Sequence, residues 1–254
     1  MTGLTVIDCL QGSPAWFQAR MGIPTASEFA TILASGRDGG ASKTRATYMR
    51  KLAGEIITGE PMDNFTNVHM ERGKAMEAEA RAFYAFHHDV DPQPVGFIVN
   101  GRKGCSPDSL IGADGMLEIK TKLPHLMIEV LERGAFPPEH LAQCQGALWV
   151  AEREWIDIAV YWPRMPRFVK RATRDEAYIK RLAAAVDAFN DELAELVERV
   201  RRYEAPLISH RDMLKAVLEP LPEAGPVLDH TDRGGLPAFL DRRAAEPARV
   251  EMLM

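Results

Sequence analysis

Between residues 94 and 122 the chain gives up helical periodicity for short apolar runs, PVGFIV (94–99), SLIGA (109–113) and MLEIKTK (116–122), with Asn100-Gly101 and Asp114-Gly115 between them. Asn-Gly and Asp-Gly pairs favour the positive φ angles of tight hairpin turns, so the segment predicts a three-strand meander. Two more extended runs, WIDIAVYW (155–162) and RFVKRA (167–172), follow a helical stretch. Strands interleaved with helices predict an α/β fold, a central mixed β-sheet flanked by α-helices.

The helices announce themselves by caps and spacing. Ser13-Pro14 reads as an N-cap followed by proline at the first helical position, with Gly22 ending the segment that carries Trp16, Phe17 and Arg20. Thr25 and Glu28 have capping-box spacing ahead of Phe29, Ile32 and Leu33, which predicts a helix with Ser27 in its first turn. Residues 44–58 and 67–88 read as further helices, and Pro137-Pro138 opens another through His140, Gln143, Ala147 and Val150. From about Asp175 to Tyr203, Ile179, Leu182, Val186, Phe189, Leu193, Leu196 and Val200 recur at steps of three and four, a core stripe. Beyond Ala205 the prolines Pro206, Pro220, Pro222, Pro226, Pro237 and Pro247 mark a change of character. The expected organisation is a domain over 1–204 and a proline-rich tail over 205–254, in which Met213, Leu214, Val217 and Leu218 could form one docking helix.

Bulk properties remove several classes. No apolar run approaches the ~18 residues of a membrane span, and the N-terminus lacks a signal-peptide pattern, so a cytoplasmic location without membrane contact is expected. Cys9, Cys105 and Cys144 lack the spacing of a zinc or iron–sulfur site and read as buried small hydrophobes. A net charge of −5 argues mildly against a protein that coats nucleic acid through overall basicity, and the global number does not decide the matter. A local stripe, Arg37, Lys43, Arg45, Arg50 and Lys51, remains available, as a DNA contact or as a solvated helix face.

The chemistry concentrates in Ser106-Pro107-Asp108 and Leu117-Glu118-Ile119-Lys120. Residues two apart on a strand share a face, so Glu118 and Lys120 point the same way, and the short hairpin brings Asp108 beside them. Two carboxylates and an ammonium suit phosphodiester hydrolysis, where a hard cation such as Mg²⁺ takes oxygen ligands and a lysine steadies charge or helps orient and deprotonate water. Glu77, on the helix carrying Gly73, Lys74 and Arg81, can face the sheet as a third carboxylate. Gln143 lies on an apolar helix face, where a buried amide needs polar partners. Taken singly, each piece also matches a turn acid, a solvated strand face or a surface amide. Their joint order is what distinguishes them.

That order, Trp16, Arg20, Gly22, Thr25, Ala26, Ser27 and Glu28, then Gly73, Lys74 and Glu77, then Ser106-Pro107-Asp108, Glu118, Lys120, Gln143, Gln145 and Trp149, resembles lambda exonuclease and its YqaJ-type viral recombinase relatives, within the PD-(D/E)XK nuclease superfamily. The resemblance covers roughly residues 10–200. It implies a Mg²⁺-dependent enzyme, with Mn²⁺ as a possible substitute, that digests the 5′-ended strand from a double-stranded DNA end and leaves a 3′ single strand. Asp108, Glu118 and the Ile119 carbonyl would hold the metal, with Glu77 as an outer or second-metal carboxylate, Lys120 as the catalytic lysine and Gln143 as an active-site amide. Arg20, Ser27 and Ser106 match the pocket for a 5′-phosphate; Arg37 and Met70 align with residues that pry the end apart. A ring-shaped homotrimer, a single-strand annealing partner and a phage or prophage protein acting in a bacterial cytoplasm are further implications. The acidic motif does not separate this from an endonuclease of the same superfamily, or from a non-catalytic DNA-end scaffold; the Arg20 and Ser27 pair favours an enzyme that reads an end.

Overall fold

The computed structural model describes residues 3–36, 40, 42–62 and 68–203, excepting the side chains of 68–75. Arg37, the side chain of Met70 and the 205–254 tail therefore lie outside the described residues. Contacts divide the chain into one unit at Met1–Tyr203 and another at Glu204–Met254.

In chain order the first unit runs β1 (Thr5–Ile7), α1 (Pro14–Arg20), α2 (Phe29–Leu33), α3 (Lys43–Thr58), α4 (Val68–His88), β2 (Phe97–Asn100), β3 (Lys103–Cys105), β4 (Ser109–Ile111) and β5 (Gly115–Thr121). It continues with α5 (Pro124–Arg133), α6 (Leu141–Ala151), β6 (Trp155–Tyr161), β7 (Phe168–Thr173) and α7 (Glu176–Arg201). Helix starts are held as their residues dictate. Ser13 Oγ accepts from Trp16 N at 3.2 Å, Ser42 Oγ from Arg45 N at 3.1 Å and Asp175 Oδ1 from Tyr178 N at 2.9 Å.

The strands form two sheets rather than one. β1, β2 and β3 make an antiparallel sheet, and β4-β5-β6-β7 a mixed one in which β5 and β6 run parallel. The expected three-strand meander is thus four short strands divided between the sheets, with Lys103–Cys105 as the strand that the spacing did not show. The chain changes sheet at Ser106-Pro107, where proline lacks the N–H to continue a ladder. Asp108 follows at once, so the candidate acid stands at the junction of the two sheets.

β5 is buried on both faces. Leu117 and Ile119 face α4 in a cluster with Ala80, Tyr84, Ala159 and Tyr161, whereas Met116 enters the main core with α6 and α7. Glu118 and Lys120 alternate with Leu117 and Ile119 and so lie on the Met116 side, as strand periodicity requires. α6 is buried nearly all round, from Ala142 through Ala151. Gly146 lets it approach α2 closely, since a Cβ there would lie 2.3 Å from the Phe29 ring.

Three expectations are corrected. The Thr25–Glu28 capping box does not form: Ala26–Glu28 is a 3-10 turn leading into a five-residue helix, Thr25 makes no side-chain cap bond, and Glu28 Oε2 accepts from Thr31 Oγ1 at 2.9 Å. So short a helix has little dipole to offer an anion at Ser27. The α7 stripe leaves through Val197, four residues after Leu193, while Leu196 is only partly buried and Val200 is exposed. In the basic stripe, Arg45 is turned to α7, bonded to both oxygens of Glu192 at 2.7 and 2.8 Å. α5 and β1 are elements beyond those that the sequence predicts. Cys105 and Cys144 are buried, Cys9 half-buried, and burial pushes all three thiols up. Among the described residues no helix is long and apolar enough to cross a membrane.

Candidate active site

A cavity of about 210 Å³ opens at the sheet junction, lined by Gln11, Trp16, Arg20, Thr25, Ser27, Ser106, Asp108, Glu118 and Gln143 among others. Arg20, Ser27 and Ser106, expected to hold a 5′-phosphate, thus share one cavity with Asp108, Glu118 and Gln143, although they come from α1, the 3-10 turn, the β3–β4 junction, β5 and α6; Lys120, Ile119 and Glu77 lie beside it rather than in its lining.

At the acidic end, Glu118 is almost wholly buried, with 4% of its surface exposed, on the interior strand β5. Its Oε1 accepts from Gln143 Nε2 at 2.7 Å and meets Lys120 Nζ at 2.7 Å. Burial pulls the Lys120 ammonium toward neutrality, but the charge and hydrogen bond of Glu118 outweigh it, and the net shift is upward. Lys120 is held as a cation. Asp108 Oδ2 accepts from the Ile119 N–H. Loss of solvent, then the charges of Glu118 and Glu77, push its carboxyl well above the usual range, against the opposing pull of the Ile119 N–H and Lys120.

Glu77 reaches this neighbourhood from α4 and is ion-paired with Arg81. Among the described residues no three metal-binding side chains already converge to enclose an ion. The donor set nevertheless fits a hard divalent cation: all-oxygen, with two carboxylates whose crowded charge raises Asp108 and calls for a counter-charge. Magnesium is commonly held by one or two carboxylates and completed by water.

At the other end, the Arg20 guanidinium lies 4.0 Å over the Trp16 ring, and its Nη2 donates to Thr25 Oγ1 at 3.2 Å. Thr25 Oγ1 and Ser27 Oγ are 3.2 Å apart, and Trp16 Nε1 donates to Ser106 Oγ at 2.9 Å. Three hydroxyls and a guanidinium therefore border the cavity on a linked set of side chains. Tyr48 supports them from α3, its hydroxyl accepting from Thr25 N at 3.2 Å.

Other contributors carried no sequence signal. Gln11 Nε2 donates to Val95 O at 2.8 Å and Pro107 O at 3.0 Å, fixing the sheet-switching segment from a loop. Ser109 is fully buried behind Asp108. His140 is half-buried, and desolvation, then the charges of Lys120 and Lys122, push it down to about 4; its Nε2 has no hydrogen-bond partner. Gln145 belongs to the scaffold instead: it donates to Thr173 O and accepts from Asp175 N, both at 2.8 Å. A shift of two residues from Gln143 turns the side chain away from the cavity.

The mixed α/β fold that carries the hairpin of Asp108, Glu118 and Lys120 is that of a PD-(D/E)XK nuclease, and solved structures share the fold. The alkaline exonuclease LHK-Exo from Laribacter hongkongensis is 31% identical with a TM-score of 0.68, covering 75% of this chain and 97% of its own. LHK-Exo in complex with dAMP gives 32% identity and a TM-score of 0.69 over the same shares. A phage related exonuclease from Haemophilus somnus 129PT, 13% identical with a TM-score of 0.54 over 70% of this chain and 96% of its own, shares the fold. The family model for the YqaJ-like viral recombinase domain matches residues 15–154, and no curated protein matches the chain. The chain therefore belongs to the YqaJ-like viral recombinase domain family and is a DNA nuclease.

Proposed function

We propose that this nuclease is a Mg²⁺-dependent 5′-to-3′ exonuclease that enters at a double-stranded DNA end, degrades the 5′-ended strand and leaves a 3′ single strand for recombination by annealing. The observation that carries the reading is the shared cavity: a guanidinium and three hydroxyls border the same space as Asp108 and Glu118, so a strand terminus held at one end presents its backbone to the other. The deoxynucleoside monophosphate dAMP in the LHK-Exo complex supports a DNA substrate.

Asp108, Glu118 and the Ile119 carbonyl would hold magnesium, or manganese in its place, with Glu77 as the outer carboxylate. The bound ion supplies charge neutralisation at the scissile phosphate and activation of water. Lys120, ion-paired with Glu118, would stabilise charge developing on the oxygens of that phosphate. Gln143 fixes the Glu118 carboxylate. Arg20, Ser27 and Ser106 take the terminal 5′-phosphate, so that strand position is set before hydrolysis. Arg37 and Met70 would separate the strands. A homotrimeric ring around the duplex, a single-strand annealing partner and a phage or prophage origin with action in the host cytoplasm complete the proposal.

The test compares linear and nicked-circular duplexes, labelled at the 5′ or 3′ end, with Mg²⁺ and with EDTA, using Asp108→Ala as control. Expected are loss of the 5′ label from linear DNA only, dependence on Mg²⁺ and no turnover in the control. Cutting of the nicked circle at sites away from the nick would replace the proposal with an internal-cutting enzyme.

A further inference from the structure

Arg81, on α4, makes contacts that reach both Glu77 and the main chain of Asp108. Its Nη2 is ion-paired with Glu77 Oε1 one turn earlier and lies 3.3 Å from Asp108 O, while its Nε donates to Ser109 Oγ at 2.8 Å. The Ser109 hydroxyl in turn donates to Asp108 O at 2.7 Å. The Arg81 side chain is 19% exposed and Ser109 is fully buried. A solvated i,i+4 pair needs no partner beyond its acid. Here the guanidinium also holds a buried hydroxyl and a carbonyl beside a candidate metal ligand.

We propose that Arg81 is a positioning residue, a planar fork that holds the Glu77 carboxylate and the Asp108 main chain in a set relation and so sets the affinity of the acidic centre for a divalent cation. The proposal rests on the metal reading given above. Geometry rather than charge must be the mode of action, because a guanidinium beside a cation site repels the cation. A role by charge and a role by position therefore predict opposite signs. Lysine in its place would keep the charge, yet a single ammonium cannot hold the diverging directions that the fork serves.

The test is Mn²⁺ binding to the full chain without DNA, by calorimetry or electron paramagnetic resonance, in wild type, Arg81→Lys, Arg81→Gln and Ser109→Ala, with the melting temperature of each metal-free protein. Partners that orient metal ligands commonly change affinity by about 10- to 100-fold when removed. Both Arg81 variants are expected to bind about tenfold or more weakly and alike despite their different charge, with Ser109→Ala, which leaves the Glu77 pair intact, weakened less. Wild-type affinity in the folded Arg81 variants, or tighter binding in Arg81→Gln, would overturn the proposal. Should neither Arg81 variant fold, unchanged affinity in Ser109→Ala would overturn it. Failure of the wild type to bind Mn²⁺ would instead remove the metal reading, and this proposal with it.

Discussion

Replacing Arg20 with alanine tests the end-recognition half of the cavity. The side chain is oriented by the protein's own groups, 4.0 Å over Trp16 and bonded to Thr25 Oγ1 at 3.2 Å. Its rotamer entropy is largely lost on folding, so little of a phosphate contact need offset ordering. A hydrogen bond to a charged group contributes about 1.5–3 kcal/mol. At one decade per 1.36 kcal/mol, this is roughly a 10- to 150-fold difference in rate. Two duplexes identical except for a 5′-phosphate or a 5′-hydroxyl are compared by initial rate in wild type, Arg20→Ala and Arg20→Lys. The wild type should prefer the phosphate. Arg20→Ala should erase the preference by slowing that substrate alone, and Arg20→Lys should retain part of it. Equal slowing of both substrates in Arg20→Ala, or a wild type indifferent to the end, would show that Arg20 does not read the terminal phosphate.

Other parts of the structure carry their own expectations. Gln143→Ala removes the 2.7 Å bond to Glu118 and should lower kcat by roughly tenfold or more with little change in KM for DNA; an unaltered kcat would leave Gln143 without a role in the reaction. Gly146→Ala places a Cβ 2.3 Å from the fully buried Phe29 ring, and the overpacking should cost about 1–3 kcal/mol, read as a lower melting temperature. An unchanged melting temperature would refute the close approach of α6 to α2. His140, pushed down to about 4, binds its proton more weakly folded than unfolded, so stability present above the unfolded value near 6.5 should be lost as pH falls from 6.5 toward 4. The loss is on the order of 2–3 kcal/mol, and His140→Gln should flatten that part of a pH-dependent denaturation series; an equally steep variant would refute the assignment to His140.

Legibility in the sequence followed the range over which each signal acts. The face shared by Glu118 and Lys120 could be read directly, since strand alternation is a property of neighbouring residues. The N-cap at Ser13 was equally local. Thr25 failed because its hydroxyl had a competing partner, Arg20, that capping-box spacing does not anticipate. The meander failed because a sheet is defined by pairing between distant strands: β2 pairs with β1 across the first helices, and β5 with β6 across α5 and α6. Gln11 and Arg81 act through main-chain atoms of the Asp108 segment, and a carbonyl has no sequence signature.

By itself, the sequence determined the kinds of group available to the reaction, their order along the chain and the strand face that Glu118 and Lys120 occupy. All three follow from side-chain chemistry and backbone periodicity, which act over a few residues. The tertiary structure alone decided that Pro107 is the point of passage between two sheets, that Asp108 is half-buried beside Glu118, and that the Arg20 pocket opens toward Asp108 and Glu118. Those outcomes depend on the close packing of α6 against α2, where Gly146 meets Phe29, and on the pairing of strands far apart in sequence. Burial and electrostatic coupling are properties of the space that packing encloses, and no window of neighbouring residues contains them.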